Sequence, residues 1–300
     1  MNIYHNENHV VLHFGIGLIG SAVQELFAQS NSNAFKTLEL PFQWEKIDLI
    51  QLQFVKIFNK TTELLYNNQK LTIVWSAGKA GFLATEDEVE TELTFFSKVA
   101  EELKNFSVNK QKAHVILLSS GGGMYEGQSN IGWMTKTKPL RPYGQLKNDT
   151  EDILTSLQEH FLKVSIIRPS SIFSTRIYKG RKGLINTLIA NIKSGTQTTI
   201  YGDPNTLRDY VLDFDVAEVI LDLVMDRRED DSLLVVASGK PTSIKQIIQM
   251  IENHSGKNAQ VRYTLKKSNT GNITYNANKI IKGRRSQELG SLICKSIYLT

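Results

Sequence analysis

The stretch VVLHFGIGLIGSAVQELFAQ, residues 10–29, decides the predicted fold. It begins with a short, mostly apolar run at 10–14, which is typical of a buried β-strand. Glycines at positions 15, 17 and 20 follow directly, and apolar residues then recur with helical spacing over 21–29. A strand, a glycine turn and a helix therefore follow one another without a linker. This order predicts the first strand–helix unit of an α/β protein.

Strands and helices are predicted to alternate through the first 170 residues. The predicted strands are 10–14, 35–40, 71–75, 114–118 and 164–168, and the predicted helices are 21–29, 45–66, 86–104 and 143–160. The strands are solidly apolar rather than alternating, which is typical of a parallel sheet covered by helices on both faces. We therefore predict a Rossmann-like, doubly wound parallel sheet in a domain of residues 1–170.

The pattern changes after Pro169. Helices are predicted at 183–193, 215–226 and 243–253, and short strands at 198–201 and 233–237. This pattern indicates a smaller C-terminal lobe over 171–300, which we expect to bind the substrate. Some of this chain is expected to return to the first domain.

Composition excludes several classes of protein. The 300 residues are 41% hydrophobic and 22% charged, with a net charge of +5, which is ordinary for a globular protein. The basic residues are scattered, so we expect no nucleic-acid partner. Cys294 is the single cysteine, which excludes an internal disulfide and favours a reducing compartment. No apolar run reaches the roughly 18 residues that cross a bilayer, and no signal peptide is recognisable. We predict a cytoplasmic protein without membrane association or a metal site.

The glycine turn predicts a dinucleotide site. In the pattern G-x-G-x-x-G, the first glycine allows the tight turn, the second lets the backbone approach a pyrophosphate, and the third allows helix–strand packing. The amino terminus of the following helix offers free N–H groups to the phosphates. The residues predicted to bind the cofactor here are Gly15, Gly17, Leu18, Ile19 and Gly20.

An acidic residue at the end of the second predicted strand is expected to bind the adenosine ribose. Glu39 is the candidate. A carboxylate there favours NAD and repels the 2′-phosphate of NADP, although Lys36 lies close in the sequence. The alternative is that Glu39 is a solvated strand end.

The spacing Tyr-x-x-x-Lys occurs five times, beginning at Tyr66, Tyr143, Tyr178, Tyr263 and Tyr275. Only Tyr143 opens a predicted helix after the strand end SSGGG at 119–123, and the other four tyrosines are predicted to be surface residues. Residues four apart share a helix face, so Lys147 can lie beside the phenol. A neighbouring ammonium favours the phenolate, which predicts an acid/base pair. Lys147 could also bind the nicotinamide ribose, and Ser119 or Ser120 could orient a substrate oxygen.

The ordered set of motifs resembles the extended short-chain dehydrogenase/reductase family, the NAD-dependent epimerases and dehydratases of nucleotide sugars. The resemblance runs through nearly the whole chain. Besides the glycine turn, the similar segments are 76–78 (SAG), 118–127 (LSSGGGMYEG), 142–147 (PYGQLK) with Glu151, 167–169 (IRP), 200–203 (IYGD), 208–211 (RDYV) and 215–217 (DVA).

This resemblance implies roles for individual residues. Tyr143 would be the catalytic acid/base and Lys147 its partner, and Arg208 would bind the diphosphate of a nucleotide sugar. The alternative for Arg208 is a surface residue paired with Asp209 or Asp213. The resemblance also implies NAD, or alternatively NADP, as cofactor, and a homodimer. Further residues assigned to the cofactor are Ala77, Gly78, Ser119, Tyr143, Lys147, Arg168 and Pro169, and those assigned to the substrate are Ser120 and Gly121.

The sequence departs from the family pattern at two places that bear on the predicted reaction. The catalytic serine or threonine of the family falls on Gly121, which leaves Ser120 as the nearest hydroxyl. The acid and base of the 4,6-dehydratases fall on Gly122 and Gly123, so a dehydratase is not expected. We predict an NAD-dependent nucleotide-sugar epimerase. The alternatives are an NADPH-dependent 4-ketosugar reductase, which would use the same catalytic residues, and a catalytically silent dinucleotide-binding protein.

Overall fold

The computed structural model describes residues 1–29, 35–44, 46–65, 69–109, 112–176, 180, 183–228, 232–264, 271–284 and 288–299. The chain divides into two compact units. Unit 1 comprises residues 1–119, 141–167 and 217–233, and unit 2 comprises 120–140, 168–216 and 234–300. The break at 167/168 lies near the predicted one, and 217–233 returns to unit 1, whereas 120–140 belongs to unit 2. The domain limits 1–170 and 171–300 remain a prediction.

Each predicted strand and helix corresponds to an observed one, with only the ends shifted. The strands are β1 Asn2–His5, β2 His9–Phe14, β3 Lys36–Glu39, β4 Lys70–Trp75, β5 His114–Leu118, β6 Lys163–Pro169, β7 Ser171–Phe173, β8 Thr198–Tyr201, β9 Leu207–Arg208, β10 Tyr210–Leu212, β11 Leu233–Val236, β12 Thr242–Ser243 and β13 Val261–Thr264. The helices are α1 Leu18–Gln29, α2 Ile50–Leu64, α3 Glu86–Asn109, α4 Gly121–Met124, α5 Pro142–Ser156, α6 Leu184–Ser194, α7 Asp213–Val224, α8 Ile244–Ser255 and α9 Leu289–Leu299.

Seven strands form the main sheet in the order β11-β6-β5-β4-β2-β1-β3. The pairs β2–β4, β4–β5 and β5–β6 are parallel, which confirms the predicted α/β class. These strands are buried almost throughout because helices cover both faces of a parallel sheet. Within the described ranges, no helix is both long and apolar enough to cross a membrane.

Strand β1 was not predicted, and it changes one edge of the sheet. It lies between β2 and β3 and is antiparallel to both. Ile3 and Tyr4 are buried in this position, so a segment with a polar overall composition contributes two core side chains. Four residues carry too little periodicity to reveal such a strand from sequence.

Each unit has its own apolar core. In unit 1, aromatic residues of β2, β4 and the helices α2 and α3 pack around Phe14, Phe54 and Trp75. In unit 2, the apolar faces of α6, α8 and α9 pack together. Helix α8 begins with a capping box, in which the Ser243 side chain and Gln246 satisfy each other's backbone N–H groups.

Three buried histidines lie along the central strands of unit 1, and each meets a hydroxyl on the neighbouring strand or just after it. His9 pairs with Thr72 at 2.8 Å and His114 with Ser165 at 2.9 Å, and His13 pairs with Ser76 at 2.9 Å. A buried polar group is costly unless it is hydrogen-bonded, and these pairs meet that requirement. Burial lowers the pKa of His9 to about 4 and the pKa of His13 to about 3.

These lowered values predict a loss of stability in mild acid. Below the ordinary histidine pKa of about 6.5, the unfolded chain binds protons that the folded chain does not, until the pH falls to the folded values. At pH 5 we expect His9 and His13 each to cost roughly 2 kcal/mol of unfolding free energy relative to pH 7. Urea unfolding at the two pH values measures this difference.

The variant His9→Gln should flatten that pH dependence because it removes one titrating group. His254 is exposed, so His254→Gln is the matched control and should leave the pH dependence unchanged. Equal stability of the wild-type protein at pH 5 and pH 7 would contradict the assignment.

Candidate functional site

The glycine turn lies between β2 and α1 in unit 1. Gly15 has a φ of +93°, in the left-handed region that favours glycine. A β-carbon on Gly15 would collide with the backbone of Ser76 and Ala77, and one on Gly20 would collide with the carbonyl of Gly15. Gly17 and Leu18 at the start of α1 are partly exposed. This bare backbone at a helix amino terminus fits a dinucleotide pyrophosphate.

Ser76, which follows β4, braces the glycine turn. Its Oγ lies 3.0 Å from the carbonyl oxygen of Phe14 and 2.7 Å from that of Gly15. Because the hydroxyl hydrogen is donated to these carbonyls, His13 Nε2 must donate to Ser76 Oγ. His13 and Ser76 thus stabilise the glycine turn through hydrogen bonds to its backbone carbonyls. This role was not predicted, although a histidine inside an apolar strand is a visible sequence signal for it.

Glu39 lies at the end of β3, opposite Asn2 of β1. Because β1 separates β3 from β2, Glu39 is one strand spacing, about 4.8 Å, further from the glycine turn than a residue on a strand adjacent to β2. The Glu39 side chain is exposed. Its assignment to the adenosine ribose remains a prediction.

Tyr143 and Lys147 lie one turn apart at the start of α5, as the spacing predicted. Pro142 occupies the first turn of this helix, where its fixed φ favours helix initiation. Lys147 Nζ lies 5.7 Å from the centre of the Tyr143 ring. Lys147 is only 8% exposed, and its Nζ lies 3.5 Å from Glu92 Oε1 of α3. Glu92 was not among the predicted site residues.

The two serines after β5 have different surroundings. The buried Ser119 donates its hydroxyl to Glu151 of α5 in a short hydrogen bond. Ser120, in unit 2, is half-buried and caps α4, where its Oγ accepts the Gly123 N–H at 3.2 Å. An accepting hydroxyl keeps its own hydrogen for another partner, so Ser120 is better suited than Ser119 to orient a substrate oxygen.

Tyr275 packs against Gly121 in unit 2 and leaves little room for a side chain at position 121. A β-carbon on Gly121 would lie 2.7 Å from Tyr275 Oη and 3.0 Å from the Pro169 carbonyl oxygen. Tyr275 is buried, so its prediction as a surface residue is wrong; its ring packs edge-on against Tyr125. Its hydroxyl has no hydrogen-bond partner among the described residues. Burial raises the pKa of Tyr275 well above its ordinary value, so the phenol stays protonated.

The other tyrosines of the repeated spacing have separate outcomes. Tyr263 is 47% exposed, which confirms its prediction as a surface residue. Tyr66 and Tyr178 lie outside the described residues. Lys70, the partner of Tyr66 in the spacing, forms an exposed ion pair with Asp226 in unit 1.

Arg208, Arg168 and Pro169 all lie in unit 2. Arg208 is half-buried, and its Nη1 donates to the carbonyl oxygens of Leu207 at 3.0 Å and Gly271 at 2.5 Å. Arg168 Nη1 donates to Tyr125 Oη at 2.6 Å. Asp213, one of the alternative partners of Arg208, forms an ion pair with Arg176 at 2.6 Å.

The predicted site residues are therefore divided between the two units. Unit 1 contains Gly15, Gly17, Leu18, Ile19, Gly20, Glu39, Ala77, Gly78, Ser119, Tyr143 and Lys147, and unit 2 contains Ser120, Gly121, Arg168, Pro169 and Arg208. Within unit 1, Ala77 packs on Gly15, and a β-carbon on Gly78 would lie 3.4 Å from Lys147 Nζ. The described part of the chain contains no cluster of three residues suited to hold a metal ion.

The contact between Gly121 and Tyr275 can be tested by a double-mutant cycle. We expect Gly121→Ala to destabilise the protein by roughly 1–3 kcal/mol through overpacking. Tyr275→Phe removes an unpaired buried hydroxyl and should be nearly neutral or stabilising. The double variant should recover part of the loss, because the added methyl group then meets no phenol oxygen. Urea unfolding gives the coupling energy, and strictly additive effects would contradict the contact.

Comparisons with known proteins show the family to which the chain belongs. The sequence pattern of the NAD dependent epimerase/dehydratase family matches residues 14–237. A putative UDP-glucose 4-epimerase of Methanocaldococcus jannaschii is 26% identical over 170 residues, 55% of this chain and 53% of that protein. A UDP-glucuronate 4-epimerase of Thermodesulfobacterium geofontis is 25% identical over 232 residues, 74% of this chain and 67% of that protein. The match thus spans about half the length of the first relative and two thirds of the second.

Solved structures share the fold over nearly the whole chain. The crystal structure of a Thermus thermophilus UDP-glucose 4-epimerase in complex with NAD has a TM-score of 0.76 and 16% identity, and covers 96% of this chain and 97% of that one. At this identity the likeness shows the fold. The family match covers the glycine turn from Gly15 onward, the Tyr143–Lys147 pair and Arg208. This chain therefore belongs to the NAD dependent epimerase/dehydratase family.

Proposed function

We propose that the protein is an NAD-dependent epimerase of a nucleotide-diphosphate sugar. The observation that carries this proposal is the continuous contact from the glycine turn to the Tyr143–Lys147 pair within unit 1. Ala77 packs on Gly15, and the next residue, Gly78, lies beside Lys147. Residues 77–78 would therefore lie between a dinucleotide bound at the turn and the proposed acid/base pair.

The relatives support a sugar-nucleotide substrate. Both curated relatives carry the names of UDP-sugar 4-epimerases, and the Thermus thermophilus protein with the shared fold is a UDP-glucose 4-epimerase in complex with NAD. Glycines at 122 and 123 supply neither an acid nor a base for the elimination of water. Epimerisation needs no such pair, since the proton removed from a hydroxyl is later returned.

In the proposed reaction, each residue has a distinct task. Tyr143 takes the proton of a sugar hydroxyl at its phenolate oxygen and later returns it. The Lys147 ammonium stabilises that phenolate by its charge. Ser120 donates a hydrogen bond to a sugar oxygen, and Arg208 binds the diphosphate through a charged, two-pronged contact. Bound NAD would supply reversible uptake of a hydride from the sugar carbon.

Replacing the phenol oxygen tests the role of Tyr143. We expect Tyr143→Phe to lower kcat by about 100-fold or more, because general acid–base catalysis contributes on this scale. Dinucleotide binding should change little, since Tyr143 has no part in the glycine turn. Turnover of UDP-sugars and binding of NAD by calorimetry measure the two effects.

Tyr263→Phe is the matched control, because it makes the same chemical change at an exposed tyrosine. It should leave turnover unchanged. Full activity of Tyr143→Phe would rule out the proposed acid/base.

The bound cofactor separates the proposed epimerase from the alternative reductase. An epimerase must keep its cofactor through both half-reactions, so we expect denatured protein to release near-stoichiometric NAD. Chromatography of the released nucleotide measures this. Protein that is empty when purified and then binds NADPH more tightly than NADH would favour the 4-ketosugar reductase. The homodimer remains a prediction from family resemblance.

A further inference from the structure

One carboxylate in unit 1 connects three elements around the proposed acid/base pair. Glu92 of α3 accepts the backbone N–H groups of Lys79 and Ala80 at its Oε2, each at 2.7 Å. Its Oε1 lies 3.5 Å from Lys147 Nζ on α5. The same Oε1 would lie 2.7 Å from a β-carbon on Gly78. Glu92 therefore joins α3, the segment after β4, and Lys147.

Glu92 differs from the other acidic residues at the start of α3. Glu86, Asp87, Glu88 and Glu90 are exposed, and those in the first turn favour the positive end of the helix dipole. The Glu92 side chain is 17% exposed and lies beyond that turn. Its partners are two backbone N–H groups and one ammonium, so its orientation is determined by contacts with other elements.

The two backbone N–H groups hold the Glu92 carboxylate in place independently of Lys147. Hydrogen bonds to an ionised acceptor are stronger than neutral ones, and two of them orient the Glu92 carboxylate. Lysine has a flexible four-carbon stem, so its ammonium needs a fixed partner to stay in one position. Burying that ammonium without a partner would also be costly.

We propose that Glu92 is a positioning residue that holds Lys147 beside Tyr143 and partly offsets the charge that Lys147 presents to the phenol. This inference rests on the proposed function, because Lys147 acts through Tyr143 in that reaction. It also assigns the acidic sequence 86–92 two purposes. The exposed carboxylates at 86–90 face solvent and the amino-terminal end of α3, whereas Glu92 contacts Lys147 of the proposed site.

The variant Glu92→Gln separates positioning of Lys147 from anchoring of the backbone. The amide oxygen of glutamine can still accept the N–H groups of Lys79 and Ala80, whereas its NH₂ group cannot pair with an ammonium. We expect an unchanged urea midpoint, a kcat about tenfold lower and a sugar KM within about threefold of the wild-type value. The acid limb of the pH–rate profile should also move, because the variant changes both the charge beside Lys147 and the position of the ammonium relative to the phenol.

Two further variants complete the comparison. Glu92→Ala removes both sets of contacts and should lower the urea midpoint as well as kcat. Glu90→Gln makes the same chemical change two residues away at an exposed position and should match the wild type. The proposal is overturned if Glu92→Gln keeps the wild-type kcat and pH profile. It is also overturned if that variant loses stability as Glu92→Ala does without moving the pH profile.

A readout without turnover separates this proposal from the proposed function. Brief acetylation of the folded protein with acetic anhydride, followed by peptide mass spectrometry, reports the reactivity of Lys147. We expect labelling of Lys147 to rise at least threefold in Glu92→Gln and to stay constant in Glu90→Gln. Unchanged labelling of Lys147 in Glu92→Gln would refute the ion pair between Glu92 and Lys147. Increased labelling in a protein that turns over no nucleotide sugar would refute the proposed function and leave the ion pair in place.

Discussion

The packing of Gly15 against the backbone of Ser76 and Ala77 is the contact on which the candidate site of unit 1 depends. Strands β2 and β4 are parallel neighbours paired in register as far as Phe14 and Trp75, so both end at the same level of the sheet. The residues that follow must share the little space at that edge, and a side chain at position 15 would fill it. Glycine has no side chain, so the two strand ends can pack against each other at this edge.

The same segment after β4 also lies beside the proposed acid/base pair. The segment after β4 runs from the turn past Gly78 to the N–H groups held by Glu92, and Lys147 meets the same carboxylate from α5. Interiors are close-packed and transmit strain, so a shift in this segment is felt at the turn and at Lys147 together. The glycine turn and the proposed acid/base pair thus share one short piece of chain.

Buried polar groups support both units by the same means, hydrogen bonds between residues far apart in the chain. In unit 1, His13 and Ser76 hold the glycine turn. In unit 2, Asp209 accepts the hydroxyls of Ser170 and Ser238 at 2.7 and 2.8 Å. Burial raises the pKa of Asp209, and these hydrogen bonds counteract that rise. Each such group is costly to bury alone and stabilising only when its partner is present.

The sequence alone predicted the order of the longer strands and helices, the glycine turn and the helix face shared by Tyr143 and Lys147. Each depends on residues close together in the chain, whose apolar periodicity or steric demand is local. Three features come from tertiary packing: Asn2–His5 enters the sheet beside β2, Tyr275 is buried against Gly121, and Glu92 meets Lys147. A four-residue strand, a tyrosine in a polar segment and one carboxylate among several look ordinary in sequence. Their surroundings come from distant parts of the chain, and those contacts exist only after the sheet and its helices have packed.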